Sequence, residues 1–184
     1  MTTQDQLKDD LDFIASTVRR NDQVGGLPAL YVFWALAIAA GFTLADFAPR
    51  IVGWYWLVVG IGGGIFSMVY ADRASRLRGV SNNAEGKRWG LHFMVGGLGW
   101  LATALPMMAG KVSPDTGAPW FLFTTGLVYA LAGVHLDRPM LWSGLLALAG
   151  FAVMQLVAVP YVWTATGLLM ALCLLTAAVL TARK

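Results

Sequence analysis

The chain has 184 residues, of which 58% are hydrophobic and only 12% charged, with a formal net charge of +3. That charged share is about half of what a soluble domain carries, and a soluble fold cannot hide so much apolar surface, whereas lipid solvates it. The basic residues border apolar runs, which excludes a nucleic-acid partner. Cys173 is the single cysteine, which excludes an intrachain disulfide and a cysteine metal site.

The first element is polar and acidic, without the basic start and apolar run of a cleavable signal peptide. Leu7, Leu11, Ile14 and Val18 form one stripe of an α-helix. Thr3 with Gln6 has the form of a capping box, and Asp5, Asp9, Asp10 and Asp12 precede Arg19 and Arg20, which suits the helix dipole. Residues 1–26 therefore read as an amphipathic cytoplasmic helix. Its acidity disfavours docking on anionic lipid. Its stripe is the candidate contact for a cytoplasmic or membrane protein partner, or for the basic loop 71–88 of the same chain.

Six apolar stretches follow, each long enough to cross about 30 Å of hydrocarbon: 27–46, 51–70, 89–109, 119–136, 139–158 and 161–181. The expected fold is an all-α integral membrane protein, a six-transmembrane-helix bundle over 27–184 preceded by the amphipathic helix. Pro28, Pro119, Pro139 and Pro160 stand at or just before span starts, where a missing N–H costs little. Pro106 lies inside the third span and predicts a kink or an end there. The short links between spans four and five, and five and six, predict antiparallel hairpins. All Lys and Arg residues except Arg50 and Lys111 fall on one side of this topology. The positive-inside rule makes that side cytoplasmic, with both termini there, as in a bacterial inner membrane.

Within the spans, Gly60 and Gly64 form a GxxxG motif for helix packing, and Gly96, Gly97 and Gly99 a small-residue patch. Such faces serve a homo-oligomer seam or, more commonly, packing within the bundle. The glycine run is not a phosphate loop, because it lies inside a span with no Lys-Ser/Thr after it. Spans one and two share a loose pattern of proline, aromatics, glycine and an acidic turn with spans four and five, the offset of an inverted repeat.

His92 and His135 fall at similar depth near the basic side, with Asp137 close in sequence to the second. One reading is a ligand or proton site, with haem as the cofactor that two histidines can hold. The other is two interfacial histidines bonded to headgroups or backbone carbonyls, which the incomplete ligand count favours, so no metal is expected. No Asp, Glu, Lys or Arg falls at mid-span, against an ion-coupled carrier. Gln155, Thr103, Thr124, Thr125, Ser143, Thr164 and Thr166 read better as interhelical hydrogen bonders than as a polar pathway. No catalytic signature appears, so no catalytic residue is assigned.

In size and helix count the chain is similar to the small substrate-binding membrane subunits of energy-coupling-factor importers, a likeness of architecture that carries no residue over. The functional expectations, in order, are a non-enzymatic regulator, sensor or accessory subunit acting through the N-terminal helix; a small-solute channel or transporter subunit; and a haem or metal protein using His92 and His135.

Overall fold

The computed structural model describes residues 26–77 and 83–183. The stripe Leu7, Leu11, Ile14 and Val18, the Thr3–Gln6 capping box and part of the basic loop lie outside the described residues. The described chain is all helix: α1 (Pro28–Phe47), α2 (Pro49–Leu77), α3 (Asn83–Met108), α4 (Pro114–His135), α5 (Arg138–Leu156) and α6 (Val162–Ala182). All six are long and apolar enough to cross a membrane, as in a multi-pass membrane protein.

The boundaries follow local chemistry. Pro28 opens α1 and Pro114 opens α4, positions whose N–H would have no intrahelical partner. Only Ala48 separates α1 from α2. The fourth span starts earlier than its sequence expectation of 119. Ser113 caps it, accepting the Thr116 N–H at 3.2 Å, and Pro119 lies inside the helix at the cost of one backbone bond. Pro106 sits near the end of α3, and its carbonyl accepts the N–H groups of Lys111 and Val112, so the helix stops there. With 29 residues, α2 is about 43 Å long, which exceeds the hydrocarbon core.

Successive helices run antiparallel, and two acidic side chains mark the two ends. At one end Asp137, in the α4–α5 turn, meets Tyr31 at the start of α1 and Thr181 at the end of α6. At the other, Asp46 on α1 meets Thr164 on α6. Arg73, Arg76, Lys87, Arg88, Arg138 and Arg183 belong to the Asp137 end, and Arg50 and Lys111 to the Asp46 end.

The packing is uneven. α1 with α6 and α4 with α5 form intimate pairs, and α6 also packs on α4 and α5. The core lies among these four helices, with Leu122, Met140, Thr125, Thr166, Cys173 and Ser143 fully enclosed. The hairpin expected of α4 and α5 is present, and glycines make it close. A Cβ on Gly144 would collide with the Ala130 backbone, and one on Gly133 with the Leu141 backbone. Among the described residues α2 rests only on α1, and α3 only on α4.

Gly60 and Gly64 make no close approach to another described helix: a Cβ on either would meet no described atom within 4 Å. The packing glycine of α2 is Gly63, seated against Phe33 and Trp34, because the helix turns the other two away from α1. In the second patch Gly96 and Gly99 do pack, on Val128 and Thr124, and Gly97 does not. The two pairs of spans that share a sequence pattern pack differently: α1 and α2 meet through aromatic side chains, whereas α4 and α5 meet backbone to backbone.

Candidate functional site

Asp137 has 2% of its surface exposed. It occupies the N-cap position of α5, where an aspartate ordinarily accepts from its own helix, yet it makes no side-chain cap bond. Its Oδ2 accepts the Tyr31 hydroxyl at 2.9 Å and the Thr181 hydroxyl at 3.0 Å instead. One carboxylate thus ties α1, the α4–α5 turn and α6. Gly26 lies over this cluster, and a Cβ there would overlap the Tyr31 hydroxyl, so the chain enters the bundle directly above Asp137.

His92 and His135 are brought together. Their ring centroids are 5.9 Å apart and the rings are nearly perpendicular. His92 Nε2 lies 2.9 Å from the Val128 carbonyl oxygen. A carbonyl only accepts, so this nitrogen carries its proton and donates, which in the neutral ring leaves the lone pair on Nδ1. Among the described residues no three His, Cys, Asp or Glu side chains group as a metal site, so Asp137 does not complete one with the histidines.

At the opposite end, Asp46 Oδ2 accepts both the Thr164 N–H at 2.8 Å and its hydroxyl at 2.7 Å. A carboxylate is thereby placed at the positive end of the α6 dipole by a different helix. The residue before α6, Tyr161, has φ 51°, a left-handed conformation that a tyrosine adopts at a cost of order 1 kcal/mol. Stacking on Phe47, with centroids 5.4 Å apart, holds it. Beside it lies an open recess of about 520 Å³, lined by Asp46, Asp115, Thr116, Gln155, Tyr161 and neighbouring apolar residues.

Of the polar side chains named from the sequence, Thr103, Thr124, Thr125, Ser143, Thr164 and Thr166 bond across or within helices, whereas Gln155 is exposed and lines the recess. Ser143 donates to the Cys173 carbonyl at 2.6 Å, joining α5 to α6. Trp100 donates to Thr125 at 3.0 Å, and the Thr103 and Thr124 hydroxyls share a bond at 2.7 Å, joining α3 to α4. Thr166 turns back to the Val162 carbonyl at 2.7 Å. No buried side-chain nitrogen or oxygen among the described residues lacks a partner. Compared with family models, curated proteins and solved structures, the chain matches none.

Proposed function

We propose that this protein is a non-enzymatic regulator, sensor or accessory subunit of a bacterial inner membrane. Both termini are cytoplasmic, and it contacts a partner protein through its N-terminal helix. The observation that carries this reading is the closed, fully satisfied core. Thr125, Thr166 and Ser143 are enclosed and bonded, so the bundle interior offers a solute no open polar row to follow. The entry of the chain above Asp137 adds support, since the acidic segment before Gly26 then starts at the basic end.

In this reading Leu7, Leu11, Ile14 and Val18 rest on that basic end until a partner captures them. Burying each aliphatic side chain is worth about 1.5–3 kcal/mol, against roughly 0–1 kcal/mol for a surface ion pair. Site-directed cross-linking from Leu11 in intact membranes tests it. The expected product is a second protein or the 71–88 loop, abolished by Leu11→Asp and preserved in high salt. Amide exchange across residues 1–26 as fast as in an unfolded peptide, with no cross-link, overturns it.

The second reading, a small-solute channel or transporter subunit, rests on the recess at Asp46 alone. Solute flux into vesicles containing the protein, lost with Asp46→Asn and Gln155→Ala, would replace the first reading.

A further inference from the structure

The recess at the Asp46 end is assembled from four parts of the chain. Asp46 belongs to the last turn of α1, Asp115 and Thr116 to the first turn of α4, and Met154 and Gln155 to the last turn of α5. Residues 157–162, the link into α6, complete it. Its volume of about 520 Å³ falls within the roughly 300–1,000 Å³ of small-molecule pockets. Thr125, Ser143 and Thr166, the enclosed polar side chains of the core, do not line it. It is therefore a hollow that ends above the core.

Its charge is one-sided. Asp46 and Asp115 both line it, and no Lys, Arg or His does. Among the described residues neither carboxylate makes an ion pair. Asp46 meets Thr164 through Oδ2 alone, so among the described residues its Oδ1 accepts no hydrogen bond. The positive ends of α4 and α6 also reach the recess, but each brings only about half a charge, which the two carboxylates exceed. The carboxyl end of α5 adds to the negative side independently of them. The carbonyls of Met154 and Gln155 accept no N–H from the residues that follow the helix. The rest of the wall is largely apolar, with Pro119, Val157 and Val162 beside the Met154 side chain.

Two unpaired carboxylates, free helix carbonyls and an apolar wall in one hollow match an organic amine. We propose that the recess binds a short aliphatic diamine. Its ammonium groups pair with Asp46 and Asp115, and its methylenes lie on Pro119, Met154 and Val157. A divalent metal ion would leave most of this volume empty, and no third acidic side chain joins the two carboxylates among the described residues. The ethanolamine headgroup of a lipid carries the same ammonium. Its phosphate follows closely behind, however, and the second carboxylate repels it. The assignment goes beyond both functional readings, since it requires neither the N-terminal contact nor passage of a solute.

Isothermal titration of the full chain in phosphatidylcholine nanodiscs with cadaverine, a five-carbon diamine, tests the assignment. Wild type should bind it saturably, one per chain, and pentanediol, its neutral counterpart, should not compete. Asp46→Asn keeps an oxygen for Thr164, and Asp115 is exposed, so both variants should melt as wild type does. Each should weaken cadaverine binding about tenfold or more, as expected when a bond to a charged group is lost. No saturable heat in wild type, competition by pentanediol, or unchanged affinity in either variant overturns the proposal. Displacement by an equal concentration of magnesium overturns it in favour of a metal ion. Loss of cadaverine binding in nanodiscs of phosphatidylethanolamine overturns it in favour of the lipid headgroup.

Discussion

The α4–α5 hairpin and the pair α2 and α3 are built from similar residues and packed in opposite ways. α4 and α5 meet through Gly126, Gly133 and Gly144, where neighbouring atoms leave no room for a Cβ. α2 and α3 are richer in glycine, yet a Cβ on Gly53, Gly60, Gly62, Gly64, Gly90 or Gly97 would meet no described atom within 4 Å. In lipid no hydrophobic force presses helices together, so association depends on close backbone approach and hydrogen bonds. A membrane glycine acquires its meaning from the face opposite it.

The largest effect that separates the two regions should come from the same substitution made in each. Gly144→Val drives a branched side chain into the Ala130 backbone and must push α5 off α4. It should destabilise the protein by about 3 kcal/mol or more, or abolish monodisperse protein on size exclusion. Gly60→Val should lie within about 0.5 kcal/mol of wild type in the same detergent melt, as expected of a substitution that touches nothing. Equal losses in both would mean that α2 is packed more closely than its open face indicates.

The next contrast is between the two carboxylates that close the ends of the four-helix core. Asp137→Ala leaves the Tyr31 and Thr181 hydroxyls without their acceptor and frees three elements at once. A loss of about 2–3 kcal/mol is expected, since bonds to a charged group are the strong ones. Asp46→Ala removes a cap from α6 and should cost about 1 kcal/mol. Denaturant titration of the two variants in one detergent gives the order, and a larger loss at Asp46 would reverse the importance of the ends.

Much of this architecture is legible in the sequence because lipid imposes a simple rule: long apolar runs must be helices. The six spans, the two hairpins and the end at Pro106 follow from hydropathy and proline alone. The start of α4 does not, because its signal is Ser113 capping Thr116, a polar pattern that precedes the apolar run and is hidden by Pro119. The partners of Asp137 were equally hidden. Tyr31 and Thr181 are 106 and 44 residues away from it, and nothing local distinguishes an aspartate that caps its own helix from one that ties three others. The histidine pair was legible because topology alone put both at one depth. Which glycines pack was not, since periodicity names a stripe without saying what lies opposite.

The α3 seam offers a smaller effect. Trp100→Phe keeps the ring and removes the bond to Thr125, and Thr103→Val removes the bond to Thr124. Each should cost roughly 0.6 kcal/mol, the average for an interhelical bond in lipid. The two should add within error, because the bonds go to different threonines. A combined loss well above the sum, read from the same denaturant titration, would mean that α3 leaves α4 as a unit once either bond is gone.

The smallest effect is expected at His92 and His135. His92 gives its Nε2 proton to the Val128 carbonyl and His135 is exposed, so the two rings touch without sharing a bond. Replacing both with Ala should remove one interhelical bond, about 0.6 kcal/mol, and leave the fold intact. It should also take away no bound group, since two histidines make an incomplete ligand set and no third metal-ligating side chain joins them among the described residues. The absorption spectrum of protein purified from its own membranes decides this directly. A Soret band in the wild type that vanishes in the double variant, or stoichiometric metal that does the same, would convert the pair from a packing contact into a cofactor site.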